Sequence, residues 1–220
     1  MKTFYDDSTA LVPAELVGNS DGALAVAGSS AFLPRIQLYG GNSDACKEGK
    51  IPIGQYGLVA GKNDLEVLGA EVDVLVLCGR AKALQIGENI ITVYDHTDPV
   101  FKQIAQESEV KDSGAMYGPE YLFWVPSAAC YATFFMSSKT ARREAKSVHA
   151  LIGFAATLKA EYIKTEKYSW HGPKVVKCTA PTFDLPDGES MREEIHKFRN
   201  PPKSKVEAAG SSSEAGVRER

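Results

Sequence analysis

The rhythm of the chain predicts a mainly β fold with inserted helices, of the α+β class, with flexible termini. Three observations carry this. Short runs rich in β-branched and aromatic residues, such as Val72-Asp73-Val74-Leu75-Val76-Leu77-Cys78, recur between clusters of turn residues. Only one stretch, residues 139–152, has sustained helical spacing, and it comes late. The βαβαβ alternation that builds a parallel sheet is missing. With 220 residues, 44% hydrophobic and 24% charged, the chain can bury a sizeable core, which excludes wholesale disorder, collagen and coiled-coil architectures.

Taken in order, residues 1–30 are rich in Ala, Gly, Ser and Asp without clear periodicity and predict a flexible N-terminal arm. A single β-rich domain is expected over residues 31–186. Its first strand lies at 32–39, where Ile36 and Leu38 alternate with Gln37 and Tyr39 before the turn Gly40-Gly41-Asn42-Ser43. Residues 51–60 predict a second strand, bent at Gly54 and Gly57. Residues 72–78 and 89–94 are the next two, followed by a short helix at 99–107 with Val100, Ile104 and Phe101 inward. Residues 121–126 and 129–136 read as strands joined near Pro126-Ser127. In the helix at 139–152, Ala141, Ala145, Val148 and Ile152 share a face, Ser138 is the N-cap and Gly153 the stop. A long strand at 156–170, a turn at Gly172-Pro173 and a return at 174–178 complete a hairpin. Residues 187–202 hold a short amphipathic helix with Met191, Ile195 and Phe198 on one side, ended by Asn200-Pro201-Pro202. The tail at 203–220 lacks core residues and predicts disorder. Many short strands with one strong helix suit a small barrel or sandwich; an OB-type barrel of five strands, extended by extra strands, is one such architecture.

Several function classes lose support at once. No run of 18 apolar residues exists, so no membrane helix is expected, and Met1-Lys2-Thr3-Phe4-Tyr5 does not open a secretory signal; a cytoplasmic protein is expected. The cysteines at 46, 78, 130 and 178 form no CxxC pair, and the histidines at 96, 149, 171 and 196 are scattered, so neither a zinc site nor another metal site is expected. Cys78 and Cys130, among apolar neighbours, read as reduced core thiols. Gly57-Leu58-Val59-Ala60-Gly61-Lys62 falls one residue short of a P-loop, and Asn63 replaces its Ser or Thr. No GxSxG, HExxH or GxGxxG constellation is present, and His171 has no evident nucleophile. No catalytic residue and no cofactor are therefore expected.

Charge and aromatic content point elsewhere. The net charge is −3, yet residues 134–182 contain Lys139, Arg142, Arg143, Lys146, Lys159, Lys164, Lys167, Lys174 and Lys177 against only Glu144, Glu161 and Glu166, a local net of +6. Screening over about 8–10 Å makes this local sign the one an anionic partner meets. Lys139, Arg142, Arg143 and Lys146 are spaced i, i+3, i+4, i+7 and form one helical stripe. Phosphates would relieve its self-repulsion and release counterions; carboxylates from elsewhere in this acidic chain would also do so. Eleven of the 20 aromatic residues fall within 117–170. Tyr168 and Trp170, interleaved with Lys164, Lys167 and Lys174, are expected on one side of a strand, where bases could stack, with Trp124 as a third ring. A core aromatic pair beside a solvated lysine face is the bland alternative.

Three stretches resemble proteins of tailed bacteriophages: Phe32-Leu33-Pro34-Arg35-Ile36-Gln37-Leu38, Ser137-Ser138-Lys139-Thr140-Ala141-Arg142-Arg143-Glu144 and Lys167-Tyr168-Ser169-Trp170-His171-Gly172-Pro173. Among these the chain is similar to phage single-stranded DNA-binding proteins with OB-type barrels. The resemblance implies strand coating in replication or recombination, in the host cytoplasm. It departs from the common acidic C-terminal tail, because the chain here ends Val217-Arg218-Glu219-Arg220. The expectation is a non-enzymatic, sequence-independent single-stranded DNA binder. RNA in place of DNA, a homo-oligomer, and replication or recombination proteins as partners stay open. A virion or assembly module is the alternative, and a nucleic-acid-processing enzyme such as a nuclease is the second.

Overall fold

The computed structural model describes residues 33–61, 64–179 and 184–201, and the backbone of 206–208. The expected arm at 1–30 lies outside the described residues. So does the expected tail, apart from one short strand. The order is β1 (Arg35–Leu38), α1 (Asp44–Lys47), β2 (Tyr56–Val59), β3 (Leu65–Gly69), β4 (Glu71–Ile86), β5 (Asn89–Val93), α2 (Pro99–Glu107), β6 (Ala115–Val125), a 3-10 turn at Pro126–Ala128, β7 (Cys130–Phe135), α3 (Lys139–Ala150), β8 (Ala155–Lys164), β9 (Ser169–Lys177), α4 (Gly188–Arg199) and β10 (Val206–Ala208). The chain is thus mainly β with a few helices, an α+β arrangement on a mixed, open sheet. Among the described residues the strands do not close into a barrel.

The chain divides into two compact units, with boundaries after Arg80, after Tyr117 and after Pro201. β4 and β6, which are neighbours in the sheet, run through both. In the first unit β6 pairs with β7, β7 runs parallel to β1, and β1, β2 and β3 follow as antiparallel neighbours. On the other side β4 pairs with β8, and β8 with β9.

The alternation along β4 explains why it reads as one continuous apolar run. Val72, Val74 and Val76 enter a core with Tyr121, Phe123, Phe134 and Leu158, closed by Ala141, Ala145 and Val148 of α3. Leu75 and Leu77 point the other way, onto Leu122 and onto Met191, Ile195 and Phe198 of α4. A strand buried on both faces has no polar side to alternate with. Glu120 on β6 is buried with these groups, and Arg80 answers it: Nη2 donates to Glu120 Oε2 at 2.6 Å and Nη1 to the Phe198 carbonyl at 2.5 Å. The same guanidinium lies 3.9 Å over the Phe198 ring, tying the end of α4 to the sheet.

In the second unit, β5 pairs with the end of β4 on one edge and with β10 on the other. α2 has the predicted bounds, and Asp98 caps it by accepting from the Val100 N–H at 2.8 Å. Its inward residues are Phe101 and Ile104, packed with Ala83, Val93 and Ala115. Val100, expected inward, is exposed instead. Pro99 occupies the first turn, so the buried stripe begins at Phe101 and repeats at Ile104 and Ala105.

Three further expectations change. Residues 51–55 form turns rather than strand, with Gly54 at φ +77°. β3 was not anticipated. The hairpin of β8 and β9 turns at Thr165–Tyr168, not at Gly172-Pro173, which lie inside β9.

Candidate nucleic-acid interface

The basic helix is built as its sequence suggests. Ser138 Oγ accepts from the Ala141 N–H at 3.2 Å, and Ala141, Ala145 and Val148 face the core. Lys139, Arg143 and Lys146 are exposed, while Arg142 is half-buried and donates from Nη1 to the Ser137 carbonyl at 2.5 Å. No acidic residue stands in the first turn. Lys139 therefore sits at the positive end of the helix dipole, where an anion would relieve the unfavourable charge.

Glu144 and Thr140 face another direction, toward β9. Glu144 accepts from the Val175 N–H and from Lys174 Nζ, both at 3.4 Å. A Cβ added to Gly172 would lie 2.7 Å from Thr140 Cγ2 and 2.8 Å from Ile163 Cδ1. The helix thus covers the open edge of β9, where unpaired N–H groups would otherwise face solvent. Pro173 lies two residues before Val175, so its nitrogen points to that same outer side and removes no ladder bond.

Beyond this contact the hairpin extends as an exposed ribbon. Thr165 closes its tip: its N–H donates to the Tyr168 carbonyl at 2.8 Å, and its hydroxyl accepts from the Tyr168 N–H at 3.1 Å. Tyr162 faces His171 across the ladder, and Ile163 faces Trp170. The rings of Tyr162 and His171 lie 5.3 Å apart. Tyr168 is 73% exposed, Tyr162 58% and Trp170 38%. Tyr168 belongs to the turn, so, contrary to expectation, it does not share a strand face with Trp170.

Apart from Arg142, which is bonded to the Ser137 carbonyl, the predicted cations separate into two groups. Lys159 bridges to Glu71 at 3.0 Å, Lys174 to Glu144 at 3.4 Å, and Lys177 lies 5.3 Å over the Phe154 ring. Among the described residues no carboxylate stands within ion-pair distance of Lys139, Arg143, Lys146, Lys164 or Lys167. Trp124 stands apart from this cluster. It is half-buried on β6, 5.1 Å from the Tyr131 ring, with Nε1 donating to the Asp184 carbonyl at 3.3 Å. Sequence reasoning did not single out Tyr162. Its signal is the step from Ala160, the last small residue beside the core, to Glu161-Tyr162-Ile163-Lys164 before the turn.

An open depression in this unit lies on β4, β8 and β9, lined by Glu71, Asp73, Thr157, Lys159 and Cys178 among others. Its two carboxylates are occupied, Glu71 by Lys159 and Asp73 by the Thr157 hydroxyl at 2.6 Å. It offers a phosphate chain less than the helix and hairpin do. Among the described residues no group of three or more His, Cys, Asp or Glu could hold a metal ion, and no helix is long and apolar enough to cross a membrane. No protein-family model, no curated protein and no solved structure matches this chain.

Proposed function

We propose that this protein binds single-stranded DNA, largely without regard to sequence, along the exposed face of α3 and the tip of the β8–β9 hairpin, in replication or recombination. The observation that carries the reading is the coincidence of exposed rings with cations that meet no carboxylate partner among the described residues, on two elements packed together through Thr140 and Gly172. Lys139, Arg143, Lys146, Lys164 and Lys167 neutralise phosphates. Tyr168, Trp170 and Tyr162 offer ring faces to unstacked bases, each stack contributing about 1–3 kcal/mol without reading sequence. Lys159, Lys174 and Lys177 join only by giving up intramolecular partners.

Strand order supports an OB-type ancestry for the first unit. β4, β6, β7, β8 and β9 come in this order along the chain, with β5 and α2 inserted between the first two and α3 between the third and fourth. β4 neighbours β6 and β8, β6 pairs with β7, and β8 with β9, which are the pairings of that barrel. The closing contact between third and fifth strands is replaced, because β1 occupies the edge of β7. In OB folds the loop between the last two strands is one that holds oligonucleotides; here that loop is Thr165–Tyr168.

A salt titration tests the reading. Five phosphate contacts on a single strand predict log K falling against log salt with a slope of roughly −3 to −4. Anisotropy of a labelled oligonucleotide should show this slope, and tryptophan emission should quench in the wild type but much less in Trp170→Phe. Absence of binding at low salt would contradict the proposal.

A further inference from the structure

The hairpin presents rings on both of its faces, and one continuous strand has no simple way to use both. Successive side chains of a strand alternate. The ladder therefore places Tyr162, Lys164 and His171 on one face and Ile163, Trp170 and Glu161 on the other. Each face has its own support at the root. A Cβ on Gly54 would lie 2.6 Å from His171 Cδ2, so the loop at 53–54 backs the Tyr162 face. Thr140 of α3 backs the other face at Gly172 and Ile163. An isolated two-stranded ribbon is marginal in water, and these two buttresses hold this one while leaving 164–170 exposed.

Resting on the single-strand reading above, we infer that the β8–β9 hairpin is a two-sided wedge for forked DNA, holding one of two diverging single strands on each face. On the first face a base stacks on Tyr162 and its phosphate meets Lys164. On the second a base stacks on Trp170. Glu161 shares that face, so the phosphates there run on the α3 side, toward Lys139 in its first turn. Tyr168 and Lys167 at the tip sit where the strands part. A single linear strand engages one face at a time, whereas a fork engages both, and linking two contacts raises the overall affinity.

The full-length chain is titrated with three labelled DNAs at one salt concentration: a linear single strand, a blunt duplex, and a duplex ending in two non-complementary arms. The fork should bind about tenfold or more tighter than the linear strand, and the blunt duplex weakest. Tyr162→Ala and Trp170→Ala should each bring the fork down to the affinity of the linear strand, while Tyr162→Phe, which keeps the ring, should retain the preference. Circular dichroism checks that the variants are folded. If the linear strand binds but the fork binds no tighter, the wedge is overturned and single-strand binding stands. If only one of the two alanine variants lowers the preference, the wedge is also overturned. If no DNA binds, both readings fail together.

Discussion

Cys78 and Tyr121 show what burial does to single residues in this fold. Cys78 lies on β4 with no exposed surface, and burial raises its thiol from 9.0 to about 11, against the lowering pull of Arg199 and Arg80. Tyr121 on β6 donates its hydroxyl to the Ala145 carbonyl of α3 at 2.8 Å, and burial raises it from 10.0 to about 12. The unfolded chain releases both protons at their ordinary values, so in alkali it binds fewer protons than the folded chain. Stability from these groups is complete below the ordinary values and is lost as pH rises through the raised ones. Urea melts should show a midpoint clearly lower at about pH 10.5 than at about pH 8, by up to a few kcal/mol in stability. Cys78→Val should flatten that dependence. Equal midpoints at the two pH values would contradict the burial of these groups.

At the scale of elements, Gly172 decides how closely α3 approaches β9. Gly172→Ala would push a methyl into Thr140 and Ile163 and force helix and strand apart, costing about 1–3 kcal/mol. Thermal melts should register the loss. The substitution should also weaken DNA binding, because it separates Lys139 and Arg143 from the hairpin. An unchanged melting temperature would mean that the helix is not seated there. This glycine also marks the limit of what the sequence discloses. Gly-Pro signals a turn, but here glycine admits a helix and proline blunts an edge strand. The true turn carries neither residue and is closed by a threonine hydroxyl, a weak signal. α3 was legible because its cap, Ser138, and its apolar spacing agreed, and α4 because of its spacing alone: the buried triplets fall at i, i+4, i+7, while Asp187, expected as the first helical residue, is the cap. β3 was not, since its residues are partly buried or exposed and lack a clean alternation.

For the whole molecule, clustering along the chain made the candidate site readable. α3, β8 and β9 are consecutive, so a basic, aromatic stretch of sequence becomes a basic, aromatic surface. Partner choice was hidden, because it depends on contacts distant in sequence. Lys159 finds Glu71 across the β4–β8 ladder, which gives a predicted phosphate ligand an intramolecular partner. Trp124 finds Tyr131 across β6 and β7. The division into two units was hidden as well, since β4 and β6 pass through both without a break.

In the proposed complex bases rest on the rings of the hairpin. Photo-crosslinking with a single strand carrying 5-iodouracil, followed by peptide mapping, locates them. Adducts are expected on Tyr168, Trp170 or Tyr162, suppressed by added salt. Adducts confined to Ala81–Tyr117, or none on a folded protein that binds the strand, would contradict that placement.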